Sequence, residues 1–279
     1  MSVTAVAAAA PGRPREAAAA AARRARIYAW RVGLLIAAIA LWQAASLLKG
    51  AAFYISSPSA IWAREVQWMA DGTLLFHTTI TLEETVAGFL LGALAGIAAG
   101  FVIGPQRDVG DVLDPFIIAL YSIPKVALAP LFIVWFGIGI WMKIILAMVT
   151  VFFIVFFNTV AGVRNVDPDL VNAVWLMGGS SRVILFKVIV PHALSAALTG
   201  VRIAIPYALI GAIVGELIAS NRGIGYLVSS AASQFDTAGV FAALIVLTIL
   251  ATVLNSLVNV VDQRTSRWKV DANLSLRPN

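Results

Sequence analysis

Long runs without a charged residue constrain the fold of this chain more than any other feature. Four such runs cover residues 32–48, 85–106, 144–163 and 237–261. A helix of about 20 apolar residues is long enough to cross the hydrocarbon core of a bilayer. The chain is also 61% hydrophobic and 12% charged, whereas soluble domains are about 45–50% apolar and about 25% charged. These properties exclude an ordinary soluble enzyme.

Two further apolar runs each contain one charge. Residues 115–136 include Lys125, and residues 203–219 include Glu216. With them the sequence predicts an all-α integral membrane protein with six transmembrane helices, in a domain over residues 32–262. A tail of residues 1–31 precedes this domain and a tail of residues 263–279 follows it. We expect residues 1–15 to be disordered and residues 16–31 to form a surface helix, because alanine favours helix.

The basic residues set the orientation of these helices. Fourteen lysines and arginines lie in the two tails and in the loops after the second and fourth spans, against three or four on the opposite side. Cytoplasmic loops carry the excess of positive charge. Both tails are therefore predicted to be cytoplasmic. The net charge of +6 follows this topology, so we expect a lipid bilayer and no nucleic acid as its partner.

The composition also excludes several kinds of site. The chain has no cysteine and two histidines, His77 and His192, which excludes disulfides, zinc–thiolate sites, iron–sulfur clusters and histidine-rich metal sites. A phosphate-binding loop requires Gly-Lys, and this dipeptide does not occur. We therefore expect no cofactor on this chain, no metal site and no catalytic residue.

Glycines recur every fourth residue in the second span and form a ridge of small residues. They are Gly88, Gly92, Gly96, Gly100 and Gly104. Such a ridge lets the backbone of a neighbouring helix approach closely. The neighbour is either a helix of the same chain or a second subunit.

Charged residues inside spans are costly and mark candidate sites. Lys125 lies between Pro124 and Pro130, where a regular helix is not possible. We expect residues 122–130, which begin at Ser122, to line a translocation pathway; alternatively Lys125 extends to the cytoplasmic interface.

Four other charged residues lie near the ends of predicted spans, and for two of them the sequence leaves alternatives open. Arg202 is either a pathway residue or an interfacial anchor at the inner edge of the fifth span. Glu216 lies near the outer end of that span and contacts either an outer gate and docked protein or the interface alone. Glu83 and Glu84 precede the second span and are expected at the outer interface.

The polar segment of residues 164–191 between the fourth and fifth spans predicts a rigid cytoplasmic element. Asp167 is a good N-cap, Pro168 suits the first helical position, and a first short helix over residues 168–177 should end at Gly178 and Gly179. Ser180 or Ser181 can begin a second short helix through Lys187, followed by Pro191.

This loop resembles the EAA loop of ABC importer permeases. The family pattern is Glu-Ala-Ala, three residues, Gly, nine residues, Ile, one residue and Leu-Pro; here Asn172, Ala173 and Val174 precede Gly178, and Pro191 closes the segment. Further stretches resemble the nitrate, sulfonate and taurine branch of the family. They are residues 57–59, 123–126, 135–139 and 223–227.

The resemblance implies a type I importer permease and its partners. A cytoplasmic ABC ATPase, present in two copies and carrying ATP and Mg²⁺, would receive the loop. The coupling residues would be Asp167, Asn172, Ala173, Gly178, Gly179, Ser180 and Pro191. An identical second permease subunit and an extracytoplasmic solute-binding protein are also implied, and Asn172 in place of glutamate removes one charged contact with the ATPase.

The expected function is the import of a small anionic solute such as nitrate, a sulfonate, taurine or a related organic acid. Lys125 and Arg202 would favour an anion. The main alternative is a stand-alone secondary transporter or channel. Such proteins couple through carboxylates in the membrane or through repeat symmetry, and the predicted spans contain few acidic residues.

Overall fold

The computed structural model describes residues 13–265 of the chain and the side chains of residues 21–257. Residues 1–12 and 266–279, where most of the predicted N-terminal disorder and of the C-terminal tail fall, lie outside the described residues. The described part is helical. Its helices are α1 (Arg13–Ser46), α2 (Ala51–Ile55), α3 (Pro58–Ala70), α4 (Thr73–Ile103), α5 (Arg107–Ser122), α6 (Ala129–Phe136), α7 (Ile140–Arg164), α8 (Pro168–Leu176), α9 (Ser181–Ile184), α10 (Val190–Ile218), α11 (Ile224–Ser233) and α12 (Thr237–Thr265).

The chain divides after Ala63 into two units. In the first unit, α1 runs without a break through the predicted surface helix and the first span. The short helix α2 is tied back to α1, because the Trp42 indole N–H donates to the Ile55 carbonyl at 3.1 Å. The Gln43 side chain also accepts from the Ser59 backbone N–H at 3.2 Å.

The second unit is built around α7, against which α4 and α10 both pack. Small residues make this possible. A Cβ placed on Gly92 of α4 would lie 2.5 Å from the Met148 carbonyl oxygen, and one on Gly211 of α10 would lie 2.6 Å from the Ala147 Cα. Helices in a membrane associate through such close backbone contacts. An apolar cluster fills the space between the three helices: Ala93, Val151, Val155, Ala204 and Ala208.

The third predicted span is broken. Helix α5 ends at Ser122, and the helical segment Lys125–Phe136 leaves it at an angle of 83°. The segment begins with a short 3₁₀ helix, Lys125–Leu128, and continues as α6. Pro124 and Pro130 account for the break, because proline removes a backbone donor and restricts the residue before it.

Several predicted boundaries are wrong, and charged residues explain why. The second span was expected to begin at Thr85 and the fourth at Ile144, but α4 begins at Thr73 and α7 at Ile140. Glu84 and Lys143 lie inside these helices as partners, so neither charge marks an end.

The start of α4 is fixed by Asp71, which lies outside the spans. The Thr73 hydroxyl and backbone N–H donate to the Asp71 carboxylate, and these hydrogen bonds lower the pKa of Asp71.

The second cytoplasmic helix also differs from its prediction. It was expected to stop before Pro191, whereas α9 passes through a π-helical turn, Leu185–Ile189, into α10. The result is one 38-residue helical segment, Ser181–Ile218. The wider hydrogen-bond spacing of a π turn absorbs Pro191 at the start of α10 without a break.

Within residues 13–265, five helical segments are long and apolar enough to cross a membrane, and a sixth crossing results if the bent pair is one span. This agrees with the six predicted spans. With both termini cytoplasmic, the N-terminal ends of α4 and α7 and the C-terminal end of α10 lie at the extracytoplasmic side. Helix α8 and the π turn lie at the cytoplasmic side.

Candidate functional site

The cytoplasmic loop contains a short helix with a defined start and end. The Asp167 carboxylate accepts the Asp169 backbone N–H at 2.9 Å, and Pro168 occupies the first turn of α8. Side-chain capping of this kind satisfies a backbone donor that the helix leaves free. The loop is therefore a built element with its N-terminus fixed by Asp167.

The turn after α8 requires glycine at two positions. Gly178 has φ +83°, a conformation that costs other residues energy. A Cβ on Gly179 would lie 2.7 Å from the Val174 carbonyl oxygen, to which the Gly179 N–H donates at 3.0 Å. Ser180 follows in extended conformation before α9.

Helix α8 presents three large apolar side chains to solvent. Trp175 is 69% exposed, Leu176 83% and Met177 86%. Asn172 and Ala173 are also exposed. On its other side a cavity of about 220 Å³ separates Val171 and Asn172 from the cytoplasmic ends of the spans. An exposed apolar group of this kind on a cytoplasmic loop marks a protein contact surface.

The five glycines of α4 all face α7 of the same chain. A Cβ on Gly88 would lie 2.5 Å from the Ala147 Cβ, one on Gly96 2.8 Å from the Phe152 carbonyl oxygen, and one on Gly100 2.5 Å from the Thr159 Cβ. Gly104 meets Val163 in the same way, at 2.9 Å. Of the two neighbours considered from the sequence, the structure shows a helix of this chain.

The predicted pathway residues do not form one cluster. Ser122 and Pro124 are exposed at the end of α5, and Lys125 is partly exposed just beyond it. The Lys125 ammonium donates to the Tyr121 carbonyl and lies over the rings of Tyr121 and Phe153, 4.2 and 5.3 Å from their centres. Arg202 is half-buried on α10.

Glu216 and Glu84 are buried among the helices near the outer ends of α10 and α4. Glu216 is 1% exposed and Glu84 is 0% exposed, whereas Glu83 is exposed. The Lys143 ammonium, itself 5% exposed, donates to Glu84 Oε1 at 2.7 Å. Each buried carboxylate is therefore held by a partner from another part of the chain.

Glu216 holds the turn that leads into α11. Its carboxylate accepts the Thr81 hydroxyl at 2.7 Å and the Gly225 backbone N–H at 2.6 Å. Two more backbone groups are held beside it, since the Gly223 N–H donates to His77 Nδ1 at 2.9 Å and the Ile224 N–H donates to the Thr81 hydroxyl at 2.8 Å.

Sequence reasoning missed this arrangement. The sequence did not connect Lys143 with either glutamate, and His77 was considered only as one of two histidines. A signal was present: Glu84, Lys143 and Glu216 all fall within a few residues of the outer ends of predicted spans, and charges that enter a bilayer usually pair with one another.

A cavity of about 420 Å³ adjoins this cluster at the extracytoplasmic side. Its walls are formed by α4, the turn between α6 and α7, and the segment after α10. The lining residues include Glu83, Glu84, Lys143, Ser220, Asn221 and Arg222. Charges of both signs therefore face one outer cavity.

Comparisons with known proteins agree with this architecture. The family described as "Binding-protein-dependent transport system inner membrane component" matches residues 88–267. The putative aliphatic sulfonates transport permease protein SsuC of Bacillus subtilis is 33% identical over 245 residues, 87% of this chain and 89% of the relative. The formylaminopyrimidine transport permease protein ThiX of Halalkalibacterium halodurans is 32% identical over 210 residues, 75% of this chain and 84% of the relative.

A solved structure shows the same fold. The MetNI methionine ABC transporter in inward-facing conformations superposes with a TM-score of 0.59 at 18% identity, over 67% of this chain and 94% of that one. The resemblance stated from the loop residues is confirmed. The chain belongs to the family of binding-protein-dependent transport system inner membrane components and is a multi-pass inner-membrane permease of an ABC importer.

Proposed function

We propose that this permease moves a small anionic solute into the cytoplasm, driven by ATP hydrolysis on a separate ATPase that docks on α8. Two ATPase copies would bind ATP and Mg²⁺ and act on a pair of identical permease subunits. A solute-binding protein would deliver the solute at the outer side. The observation that carries this proposal is the apolar surface of α8, formed by Trp175, Leu176 and Met177.

This surface is suited to a protein groove. Burying a large apolar side chain contributes about 1.5–3 kcal/mol, and an amphipathic helix that enters a hydrophobic groove is a common recognition mode. The N-cap at Asp167 and the turn at Gly178 hold the helix in place before docking, so less conformational entropy is lost on binding. Helix α8 can therefore bind a partner without first having to fold.

The chain also offers a route for movement from this surface into the membrane. Helix α8 leads through the Gly178–Gly179 turn into Ser181–Ile218, which crosses the membrane as one helical segment. A push on α8 would reach the fifth span directly. The π turn at Leu185–Ile189 lies at the start of this route, and such turns are frequent at functional sites.

The proposal for the solute is supported by one relative and by the cations of the spans. SsuC is described as an aliphatic sulfonates permease, and sulfonates are anions, whereas ThiX is described as a formylaminopyrimidine permease. Lys125 lies at the break in the third span, where irregular backbone at membrane depth is tolerated beside a cavity or within protein. We propose that Lys125 and Arg202 face an anionic solute during its passage.

The test of docking is co-purification from the native membrane. The tagged wild-type permease should bring down a chain with a phosphate-binding loop and ATPase activity. Leu176→Asp should lower recovery of that chain by about tenfold or more, because a buried leucine is worth about 1.5–3 kcal/mol. Leu75→Asp is the matched control, since Leu75 is 72% exposed at the extracytoplasmic end of α4. Full recovery with Leu176→Asp would contradict docking through α8.

The solute is tested separately with the assembled complex in proteoliposomes. Uptake of an aliphatic sulfonate and of a neutral pyrimidine is compared for the wild type and Lys125→Met. The proposal predicts sulfonate uptake that Lys125→Met depresses while the ATPase partner still co-purifies. Sulfonate uptake at the wild-type rate in this variant would rule out a pathway role for Lys125.

A further inference from the structure

The first turn of α11 is held by side chains instead of by its own helix. The backbone N–H groups of Gly223, Ile224 and Gly225 donate to His77, Thr81 and Glu216, at 2.9, 2.8 and 2.6 Å. The first N–H groups of any helix lack partners within it. Here the partners come from two membrane-spanning helices, α4 and α10. The position of α11 therefore depends on three buried side chains, of which Glu216 carries the charge.

The turn packs closely around Glu216 and requires glycine to do so. A Cβ on Gly225 would lie 2.8 Å from the Glu216 Cβ, and a Cβ on Gly223 would collide with the carboxylate itself. A Cβ on Gly215 would lie 2.9 Å from the Lys143 Cγ. Close-packed contacts of this kind tend to switch between discrete arrangements instead of deforming continuously.

The charges of the cluster allow two arrangements. Two buried carboxylates, Glu84 and Glu216, share one ammonium, that of Lys143. The Lys143 ammonium donates to Glu84 Oε1 at 2.7 Å, and the lysine stem packs against Gly215, the residue before Glu216. The second oxygen of Glu84 is buried as well, and the two carboxyl groups lie within hydrogen-bonding reach of each other.

We propose that α11 is a movable outer element of the permease, positioned in this conformation by Glu216 and released during the transport cycle. The proposal rests on the ATP-driven function above for the energy that releases it. When α11 leaves, the Glu216 carboxylate loses the Gly225 and Thr81 donors and pairs with Lys143. Glu216 then still has a charged partner, and neither charge is exposed to the bilayer.

The surroundings of α11 fit this role. The segment that would move borders the 420 Å³ outer cavity through Ala219, Ser220, Asn221 and Arg222. Beyond the far end of α11, Arg64 and Asp236 form an ion pair at 2.9 Å, with both side chains about one-third exposed. Exposed ion pairs contribute little stability. Helix α11 also packs against α12 through apolar contacts, so Glu216 supplies the buried polar hold on its first turn.

Hydrogen–deuterium exchange at the amides of residues 223–225 tests directly whether Glu216 holds the first turn of α11. The complex of the permease with its co-purified ATPase is placed in nanodiscs, and the peptide covering residues 219–227 is followed without nucleotide. Glu216→Gln should raise the exchange rate of these amides by about fivefold to tenfold, because a neutral amide oxygen accepts a weaker hydrogen bond than a carboxylate does. Glu83→Gln, the same change on an exposed carboxylate of α4, should leave it unchanged. Unchanged exchange in Glu216→Gln would overturn the proposal.

The same measurement in the wild type tests release. Trapping the complex with ATP and vanadate should raise exchange at residues 223–225 to the level of Glu216→Gln. A merely structural role for Glu216 predicts equal protection in both nucleotide states, and that result would also overturn the proposal. The comparison between the two glutamate variants needs no nucleotide, so it stands even if the ATPase assignment fails.

A reversible cross-link tests whether the movement is required. The chain has no cysteine of its own, and the Ile224 N–H lies 2.8 Å from the Thr81 hydroxyl oxygen. Thr81→Cys with Ile224→Cys should form a disulfide that fixes α11 to α4. Oxidation should reduce the ATPase turnover of the complex by about tenfold or more, and dithiothreitol should restore it. Equal turnover in the oxidised and reduced double variant would show that α11 does not move in the cycle.

Discussion

The two ends of this permease use their side chains in opposite ways. At the cytoplasmic end, α8 exposes Trp175, Leu176 and Met177, and no residue among those described covers them. At the extracytoplasmic end, Glu84, Lys143 and Glu216 are buried and bonded within the chain. Apolar groups are thus exposed where a partner is expected, and charges are buried where the chain contacts itself.

The difference shows which of the two sites can be found from the sequence and which only from the folded structure. A surface for another protein is a contiguous segment with its own caps and turns, so it is visible in the sequence. A buried charge cluster is assembled from four separate helices, and its hydrogen bonds join residues up to 146 positions apart along the chain, as between His77 and Gly223. The docking surface and the charge cluster are therefore expected to respond differently to mutation.

The largest expected effect comes from removing the cation of the outer cluster. Lys143→Met leaves Glu84 and Glu216 buried without a counter-charge, and breaking a buried ion pair by removing one partner costs about 3–5 kcal/mol. The thermal midpoint of the detergent-solubilised protein, measured by loss of its monodisperse peak, should fall sharply. Arg222→Met, which removes an exposed cation of the same cavity, should change it little.

A compensating variant sharpens this result. Lys143→Met combined with Glu84→Gln removes both charges of the pair, so it should recover most of the lost midpoint. If the double variant is as unstable as Lys143→Met alone, the effect arises from lost packing of the lysine stem. The ion pair then does not account for the loss of stability.

The comparison also shows how far the sequence could predict the molecule. The apolar runs and the signals at Asp167, Pro168 and Gly178 correctly predict the long helices and α8, whereas the orientation inferred from the basic residues stays a prediction. The outer cluster could not be predicted, because charge-free runs were used to find the spans and this excluded Glu84 and Lys143 from them. The π turn at Leu185–Ile189 was missed as well, since Pro191 alone predicts a helix end.

The second prediction concerns the contact between α4 and α7, two helices that run between the extracytoplasmic and the cytoplasmic ends. Gly92→Ala places a methyl group 2.5 Å from the Met148 carbonyl oxygen, and backbone cannot yield as a flexible side chain does. Overpacking of this kind costs about 1–3 kcal/mol. The thermal midpoint should fall, whereas Gly33→Ala in α1, where a Cβ meets nothing within 4 Å, should be neutral or stabilising. An unchanged midpoint for Gly92→Ala would mean that α4 can move away from α7 without cost.

The third prediction separates transmission from docking at the cytoplasmic end. Gly178→Val forces a β-branched residue to φ +83°, which costs about 1–2 kcal/mol and displaces the turn between α8 and α9. The ATPase should still co-purify through the unchanged α8 surface, but its hydrolysis should no longer drive uptake. Gly139→Val is the control, because that glycine has extended backbone and open space around it. Uptake that is still driven by ATP hydrolysis in Gly178→Val would show that the Gly178–Gly179 turn does not transmit movement.

The smallest expected effect lies at the start of α8. Asp167→Ala removes the side chain that accepts the Asp169 N–H at 2.9 Å, and loss of an N-cap costs about 1 kcal/mol. Helix α8 should fray, and the affinity for the ATPase should fall by about fivefold, while the outer cluster and the thermal midpoint of the spans stay as they are. Asp167→Ser should restore the affinity, because serine caps equally well, and Asp169→Ala should have a smaller effect since its side chain makes no cap. An equal loss in Asp167→Ser would mean that the carboxylate contacts the ATPase itself, so that the cytoplasmic end, too, would depend on charge.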